Sequence, residues 1–268
     1  MGYDHVVAYD HVLGADPRRP GGWSGPYTHE SLFHEPLTLF AYLAAITTRL
    51  ELATAVIVLP QRQAALVAKQ AAEVDALSGG RLRLGVGIGW NQVEYEALGM
   101  DFGDRGRRIE EQIRVMRALW SEPIVDLEGR WHRIDRAGLN PLPARRSIPL
   151  WMGGGYAART REVIEPALRR IARLADGWLT HVQPGDENAI ARFRDLVRAA
   201  GRDPAAVGLE GRVNAFRVAE PEWPREVDWW RRVGATHVEL NTMGAGLASL
   251  DGHLELLDRF ARLVRSGA

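Results

Sequence analysis

The 268-residue chain contains no cysteine. Disulfides, thiolate metal sites and a cysteine nucleophile are therefore excluded, and the composition suits a reducing compartment. Lysine is almost as scarce. Lys69 stands alone among the 34 basic residues, so no polylysine patch can form. Basic and acidic residues balance to a formal net charge of zero, which gives no pull toward nucleic acid or an anionic membrane. No apolar run reaches the roughly eighteen residues of a membrane span. The opening MGYDHVVAYDH lacks the basic start and long apolar centre of a secretory signal, so a cytoplasmic protein is expected. HExxH, a close histidine pair on one helix and a carboxylate cluster are all missing, and no metal site is expected. A G-x-S-x-G elbow is missing too, which argues against a serine hydrolase.

What is present is an alternation. Short β-rich runs at 5–10, 50–60, 81–90, 148–155, 177–183, 208–216 and 237–243 are separated by stretches with apolar residues three and four apart. Leu66, Ala72, Val74 and Leu77 form one such stripe; Ile109, Ile113, Met116 and Leu119 form another. Several strand runs are apolar almost without a break, as expected when both faces are covered. The pattern predicts a parallel sheet with crossover helices, either doubly wound or closed into a (β/α)8 barrel. No linker or composition shift divides the chain, so residues 1–268 are expected to form a single domain. Two stretches break the rhythm. Residues 12–34 form a Gly- and Pro-rich loop of lid-like length, and residues 121–147 hold a hairpin-like piece before GLNPLPARRSIP.

In a parallel barrel the reactive groups stand at the C-terminal ends of strands. Those ends carry Asp10-His11, Val58-Leu59-Pro60, Gly87-Ile88-Gly89-Trp90-Asn91, Gly153-Gly154-Gly155, His181 with Gln183, Asn214, and Asn241-Thr242-Met243. Polar and glycine residues gather there while the strand bodies stay apolar. An Asp-His pair at a strand end can be a plain polar terminus or a proton-handling site. GVGIG at 85–89 and GGG at 153–155 lack the full G-x-G-x-x-G with its downstream acid. Three glycines between a strand and a helix nevertheless expose backbone N–H groups that suit a phosphate.

GYDHVVAYDHVL, LELATAVIVLPQRQAALVAKQAAEVDALSGGRLRLGVGIGWNQVEYEALG, NPLPARRSIPLWMGGG and RIARLADGW together resemble the luciferase-like monooxygenase superfamily. Within this bacterial luciferase-like superfamily they resemble the group that uses coenzyme F420, a deazaflavin. The resemblance implies a TIM-like (β/α)8 barrel and an oxidoreductase transferring a hydride between F420 and a small organic substrate. It implies that Asp10 contacts the deazaflavin and that His11 is the catalytic, proton-handling or hydride-positioning group. Ala55 and Val56 fall at the family's bulge with a non-prolyl cis peptide behind the ring. Val58, Ile88 and Gly89 would line the cofactor, and Gly154 with Gly155 would receive its phosphate. Trp90, His181 and Asn241 are candidates for the substrate pocket. A homodimer and a flavin or F420 reductase partner accord with the superfamily.

The chain also departs from the family. Gly2-Tyr3-Asp4 matches the end of the family's first helix, so the first strand and most of that helix are expected to be absent. Trp90 replaces the acid of a related sugar-phosphate dehydrogenase, which speaks against that reaction; an indole there suits an apolar or aromatic substrate, or plugs the core. Residues 156–166 look like an insertion, with a short extra helix expected near Tyr156–Thr160 and Thr160 as a phosphate ligand. Pro166 should start the next helix. Two other functions stay open. One is an FMN-dependent two-component monooxygenase using reduced flavin and oxygen. The other is an inactive barrel kept as a binding or partner subunit.

Overall fold

The computed structural model describes residues 1–266. They fall into two compact units, one of His5–Gly153 and one of Met1–Asp4 with the residues from Gly154 onward.

The first unit begins with strand β1 (His5–Ala8), helix α1 (Pro36–Ile46), strands β2 (Glu51–Thr54) and β3 (Ile57–Val58), and helix α2 (Ala64–Ser78). It continues through β4 (Leu82–Gly87), α3 (Gln92–Ala97), α4 (Arg105–Ser121), the hairpin β5 (Val125–Glu128) and β6 (Arg133–Ala137), and β7 (Leu150–Gly153). β1, β2, β4 and β7 lie side by side and parallel, in that order. Every residue of β4 is buried, the charged Arg83 included, as expected of a strand covered on both faces. α2 ends as its sequence requires: Gly79 takes a left-handed φ of 68° and returns its N–H to the helix.

The expected run at 50–60 is two strands. Leu52 pairs with Leu82, an offset of 30, whereas Ile57 pairs with Val86, an offset of 29. One extra residue has therefore been accommodated between them, a bulge, and the Ala55–Val56 peptide within it is cis. The bulge turns Val56 toward its neighbours. A Cβ on Gly87 would stand 2.5 Å from Val56 Cγ2, and one on Gly153 would stand 2.8 Å from Val56 Cγ1. Part of the glycine pattern at strand ends thus reflects close packing around Val56.

The hairpin-like piece expected within residues 121–147 is present as β5–β6. Glu111 on α4 fastens it by accepting from the amides of Arg130, Trp131 and His132 and from His132 Nδ1 at 2.8 Å. Burial alone would raise the Glu111 pKa, but these four donors pull it down to about 2.

The second unit holds the short hairpin β8 (Tyr156–Ala157) and β9 (Glu162–Val163), then α5 (Glu165–Leu174), β10 (Gly177–Leu179), α6 (Glu187–Ala199), β11 (Gly208–Asn214), α7 (Trp223–Arg232), β12 (His237–Asn241) and α8 (Leu250–Ser266). β10, β11 and β12 are parallel neighbours. Val213, Trp223, Val227, Leu256 and Phe260 form a core between strand and helices. The extra helix expected near 156–160 is corrected to this antiparallel hairpin. Arg161 closes its turn at φ 58°, donating its amide to Ala157 O, and the Tyr156 hydroxyl and Arg161 guanidinium both meet Asp186. Thr160 lies in the hairpin turn, and Pro166 stands in the first turn of α5 as expected. Among the described residues no helix is long and apolar enough to cross a membrane.

Candidate active site

β1 delivers Asp10 and His11 just past its end, and the two side chains part company. Asp10 turns inward and is 4% exposed. Its carboxylate accepts Arg62 Nη2 at 2.8 Å, Arg62 Nε at 3.3 Å and the Val58 amide at 3.0 Å. Arg62 also donates to Glu35 at 3.2 Å, and Glu35 caps α1 by accepting the Thr38 amide at 2.7 Å. Three chain segments are thereby tied at one point: the end of β1, the turn after β3 and the start of α1. Buried Gln112 of α4 supports that turn from behind, donating to the carbonyls of Leu59 and Arg62.

His11 faces the other way. Its Nδ1 lies 3.0 Å from Glu94 Oε1, and Nε2 has no hydrogen-bond partner among the described residues. Glu94 sits on α3, whose first turn Asn91 caps by accepting the Val93 amide at 3.1 Å. The imidazole touches three aromatic rings. Phe33 is centred 4.8 Å away, Tyr27 at 5.0 Å and Trp90 at 5.5 Å. Tyr27 and Phe33 come from the 12–34 loop, whose one strand-like pairing among the described residues is an isolated bridge between Ala15 and Thr28. Trp23 extends the cluster, lying 5.8 Å from Trp90 and donating its indole N–H to Tyr27 O at 2.7 Å. Gly25 passes so close to Trp23 and Trp90 that any side chain there would collide with them. Trp90 is 43% exposed, so it belongs to this surface cluster and not to the core. Val58 is buried against Gly89, while Ala55, Val56 and Ile88 are half-buried.

In the second unit Gly154 and Gly155 both take positive φ, 112° and 77°. Their surroundings differ. A Cβ on Gly155 would stand 2.9 Å from Leu168 Cδ1, so this glycine serves helix packing. Gly154 has open space where a Cβ would project, and its carbonyl accepts the Trp178 indole N–H at 2.7 Å. His181 Nδ1 accepts from Arg212 Nη1 at 3.2 Å, and Arg212 pairs with Glu239. His181 is exposed; the protein packed around its ring, followed by the Arg212 and Arg217 charges, pushes its pKa below the ordinary imidazole value. Asn241 donates to Asn214 at 3.3 Å and accepts the Met243 amide at 2.9 Å.

The sequence pattern of the luciferase-like monooxygenases matches residues 1–221. The chain belongs to that family. A Mycobacterium tuberculosis protein without an assigned activity is 40% identical over 172 residues, 63% of this chain and 56% of its own length. The FMNH2-dependent dimethylsulfone monooxygenase of Pseudomonas putida is 30% identical over 189 residues, 69% of this chain and 49% of its own. The chain thus spans about half the length of these curated relatives. Among solved structures, an F420-dependent secondary alcohol dehydrogenase in complex with an F420-acetone adduct is similar with a TM-score of 0.71. It is 18% identical, and the match covers 89% of this chain and 84% of that one. The coenzyme F420-dependent tetrahydromethanopterin reductase of Methanopyrus kandleri is similar with a TM-score of 0.69 and 14% identity, over 99% and 90% of the two chains. These likenesses show the fold, which is of the TIM-like β/α barrel class. Members of the family are oxidoreductases and monooxygenases.

Strand-end position singles out Asp10, His11 and Trp90 in the sequence but points to none of the partners Glu94, Arg62 and Glu35. Glu94 was visible only as the last letter of Asn91-x-x-Glu94, the spacing of a capping box. Asn91 does cap, yet Glu94 reaches across to His11 instead of back to its own helix. Tyr27 is marked in the sequence only as an aromatic residue of the long 12–34 loop, with Trp23, and Arg62, Glu35 and Phe33 carry no local signal.

Proposed function

We propose that this protein is an oxidoreductase transferring a hydride between coenzyme F420 and a small apolar or aromatic organic substrate, with His11 moving the accompanying proton. His11 carries the reading. Its imidazole stands at a strand end, its Nδ1 is engaged, its Nε2 is unengaged, and aromatic rings surround it. An imidazole suits the task because its unperturbed pKa, roughly 6.5, lies near working pH. When bound, the deazaflavin supplies or accepts the hydride, chemistry that no side chain here provides. The chain's part is to hold the group, shelter it from water and exchange a proton at His11 Nε2.

The residues fit such a group in one respect that can be checked on the backbone. Gly154 leaves open space where any other residue would place a Cβ, so a phosphate can approach its main chain. Gly155 does not share that freedom. Asp10 acts through Arg62 and Val58, since both of its oxygens are occupied by them. The exposed face of Trp90 with Trp23, Tyr27 and Phe33 favours a flat or apolar substrate over a sugar phosphate.

A second reading has a specific observation in its favour. The dimethylsulfone monooxygenases of two Pseudomonas species, 30% and 31% identical, are FMNH2-dependent. Under that reading the chain takes reduced FMN, works with oxygen and depends on a separate reductase.

Fluorescence titration of the purified chain with F420 and, separately, with FMN tests both. Tight F420 binding with weak FMN binding is expected. The reverse preference, together with oxygen consumption, would replace the first reading by the second. Binding of neither would refute both and favour a non-catalytic role.

A further inference from the structure

The Glu94 side chain is 1% exposed, yet its carboxylate is fully engaged. Oε1 faces His11 Nδ1 at 3.0 Å and accepts the amides of Val12 at 3.0 Å and Leu13 at 3.4 Å. Oε2 accepts Gln61 Nε2 at 3.3 Å. Each identified neighbour brings a nitrogen, and the three outside the imidazole are plain N–H donors. The acceptor role of Oε1 is thus set by two backbone amides whatever the histidine does. A histidine nitrogen facing an obligate acceptor must carry the proton. We propose that Glu94 is the positioning residue of this site: it fixes His11 as the Nδ1–H tautomer and so makes Nε2 the atom that exchanges a proton with substrate.

The same oxygen holds Val12 and Leu13, the first residues of the 12–34 loop. One carboxylate therefore sets both the orientation of the imidazole and the departure of the loop that brings Tyr27 and Phe33 against it. Gln61 completes the arrangement. Its Oε1 is buried and has no partner among the described residues, so the amide can turn over and offer an acceptor if the group opposite becomes a donor. That makes Glu94→Gln an informative variant. The Val12 and Leu13 amides should keep the new amide oxygen on their side, where it still accepts His11 Nδ1–H. Its NH2 would then meet the turned Gln61.

The inference deepens the hydride-transfer reading and shares His11 with it, so the deciding measurement needs no cofactor. Histidine labelled with 15N is observed by two-dimensional NMR above pH 8, and the His11 signals are assigned by their loss in His11→Gln. In the unsubstituted protein the proton should sit on Nδ1 with a bare Nε2. Glu94→Gln should retain that pattern, whereas Glu94→Ala should shift the ring to the Nε2–H form that free imidazole side chains favour. A proton on Nε2 in the unsubstituted protein would overturn the proposal, as would an Nδ1–H form that survives in Glu94→Ala. If Glu94→Ala does not fold, the unsubstituted and Glu94→Gln spectra still decide. With a cofactor identified, Glu94→Ala should lower kcat at least tenfold and leave the cofactor Kd within threefold; an unchanged kcat would refute the positioning role. Failure of F420 and FMN to bind would sink the proposed function and leave the tautomer result standing.

Discussion

Replacing Asp10 by asparagine probes the knot that holds β1, the turn after β3 and α1 together. Asp10 is 4% exposed, and Arg62 approaches it twice, at 2.8 and 3.3 Å. The Arg62 side chain is 16% exposed and keeps a second carboxylate, Glu35, at 3.2 Å. Burial alone would lower the Arg62 pKa; Asp10 first and then Glu35 outweigh it and hold the pKa above its ordinary value. Breaking a buried ion pair by removing one partner costs about 3–5 kcal/mol. Three features reduce that figure here. Arg62 retains Glu35, it has some access to water, and asparagine keeps an oxygen that can accept either Arg62 or the Val58 amide. The expected loss is about 1–3 kcal/mol. Urea unfolding at pH 7 reads it as a lower midpoint with an unchanged m-value. A double-mutant cycle with Arg62→Met isolates the pair and should return a coupling of at least ~1 kcal/mol. Glu35→Gln should cost less, about 0.5–1 kcal/mol, because that carboxylate is 36% exposed. Asp10→Asn within ~0.5 kcal/mol of the unsubstituted protein would refute the reasoning, because surface substitutions commonly fall in that range.

His11→Ala should lower turnover at least about a hundredfold, the scale of an acid–base group, and leave cofactor affinity within a few-fold; unchanged turnover would remove His11 from the chemistry. Gly87→Ala should cost about 1–3 kcal/mol by overpacking against Val56 Cγ2. Val56→Ala in the same chain should restore part of that loss, and purely additive effects would show that the contact is not responsible. Glu111 has a pKa depressed from 4.5 to about 2, so the stability it contributes is complete above about pH 4.5 and disappears as pH falls toward 2. Glu111→Gln should therefore be less stable than the unsubstituted protein by about 1–3 kcal/mol at pH 6, with the gap closing near pH 2 in chemical unfolding. A pH-independent gap would mean that the carboxylate charge is not what fastens the hairpin.

Much of the architecture was legible without coordinates because it follows from local periodicity. Apolar runs of strand length and stripes at helical spacing depend only on neighbours a few residues apart, and all seven anticipated runs contain strands. Gly79 ends α2 and Pro166 stands at the start of α5 for equally local reasons. Residues 156–163 were harder. YAARTREV pairs as a hairpin because Arg161 accepts a left-handed turn and Asp186, some 25 residues on, receives its guanidinium.

The order of residues alone places His11 and Trp90 at strand ends, because the apolar runs stop there and polar residues begin. It also determined the family, through long segments around residues 50–99 and the glycines at 153–155. What each polar group contacts, by contrast, depends on the folded arrangement. Glu94 lies 83 residues from His11 and shares α3 with Glu96, and no periodicity says which of the two carboxylates is buried. Asp10 and His11 are adjacent in sequence, yet successive residues leaving a strand point to opposite sides. One consequently anchors the fold through Arg62 while the other meets the aromatic rings. Long-range partners of this kind depend on which strands lie side by side and in what register, and a chain expresses that only once it has folded.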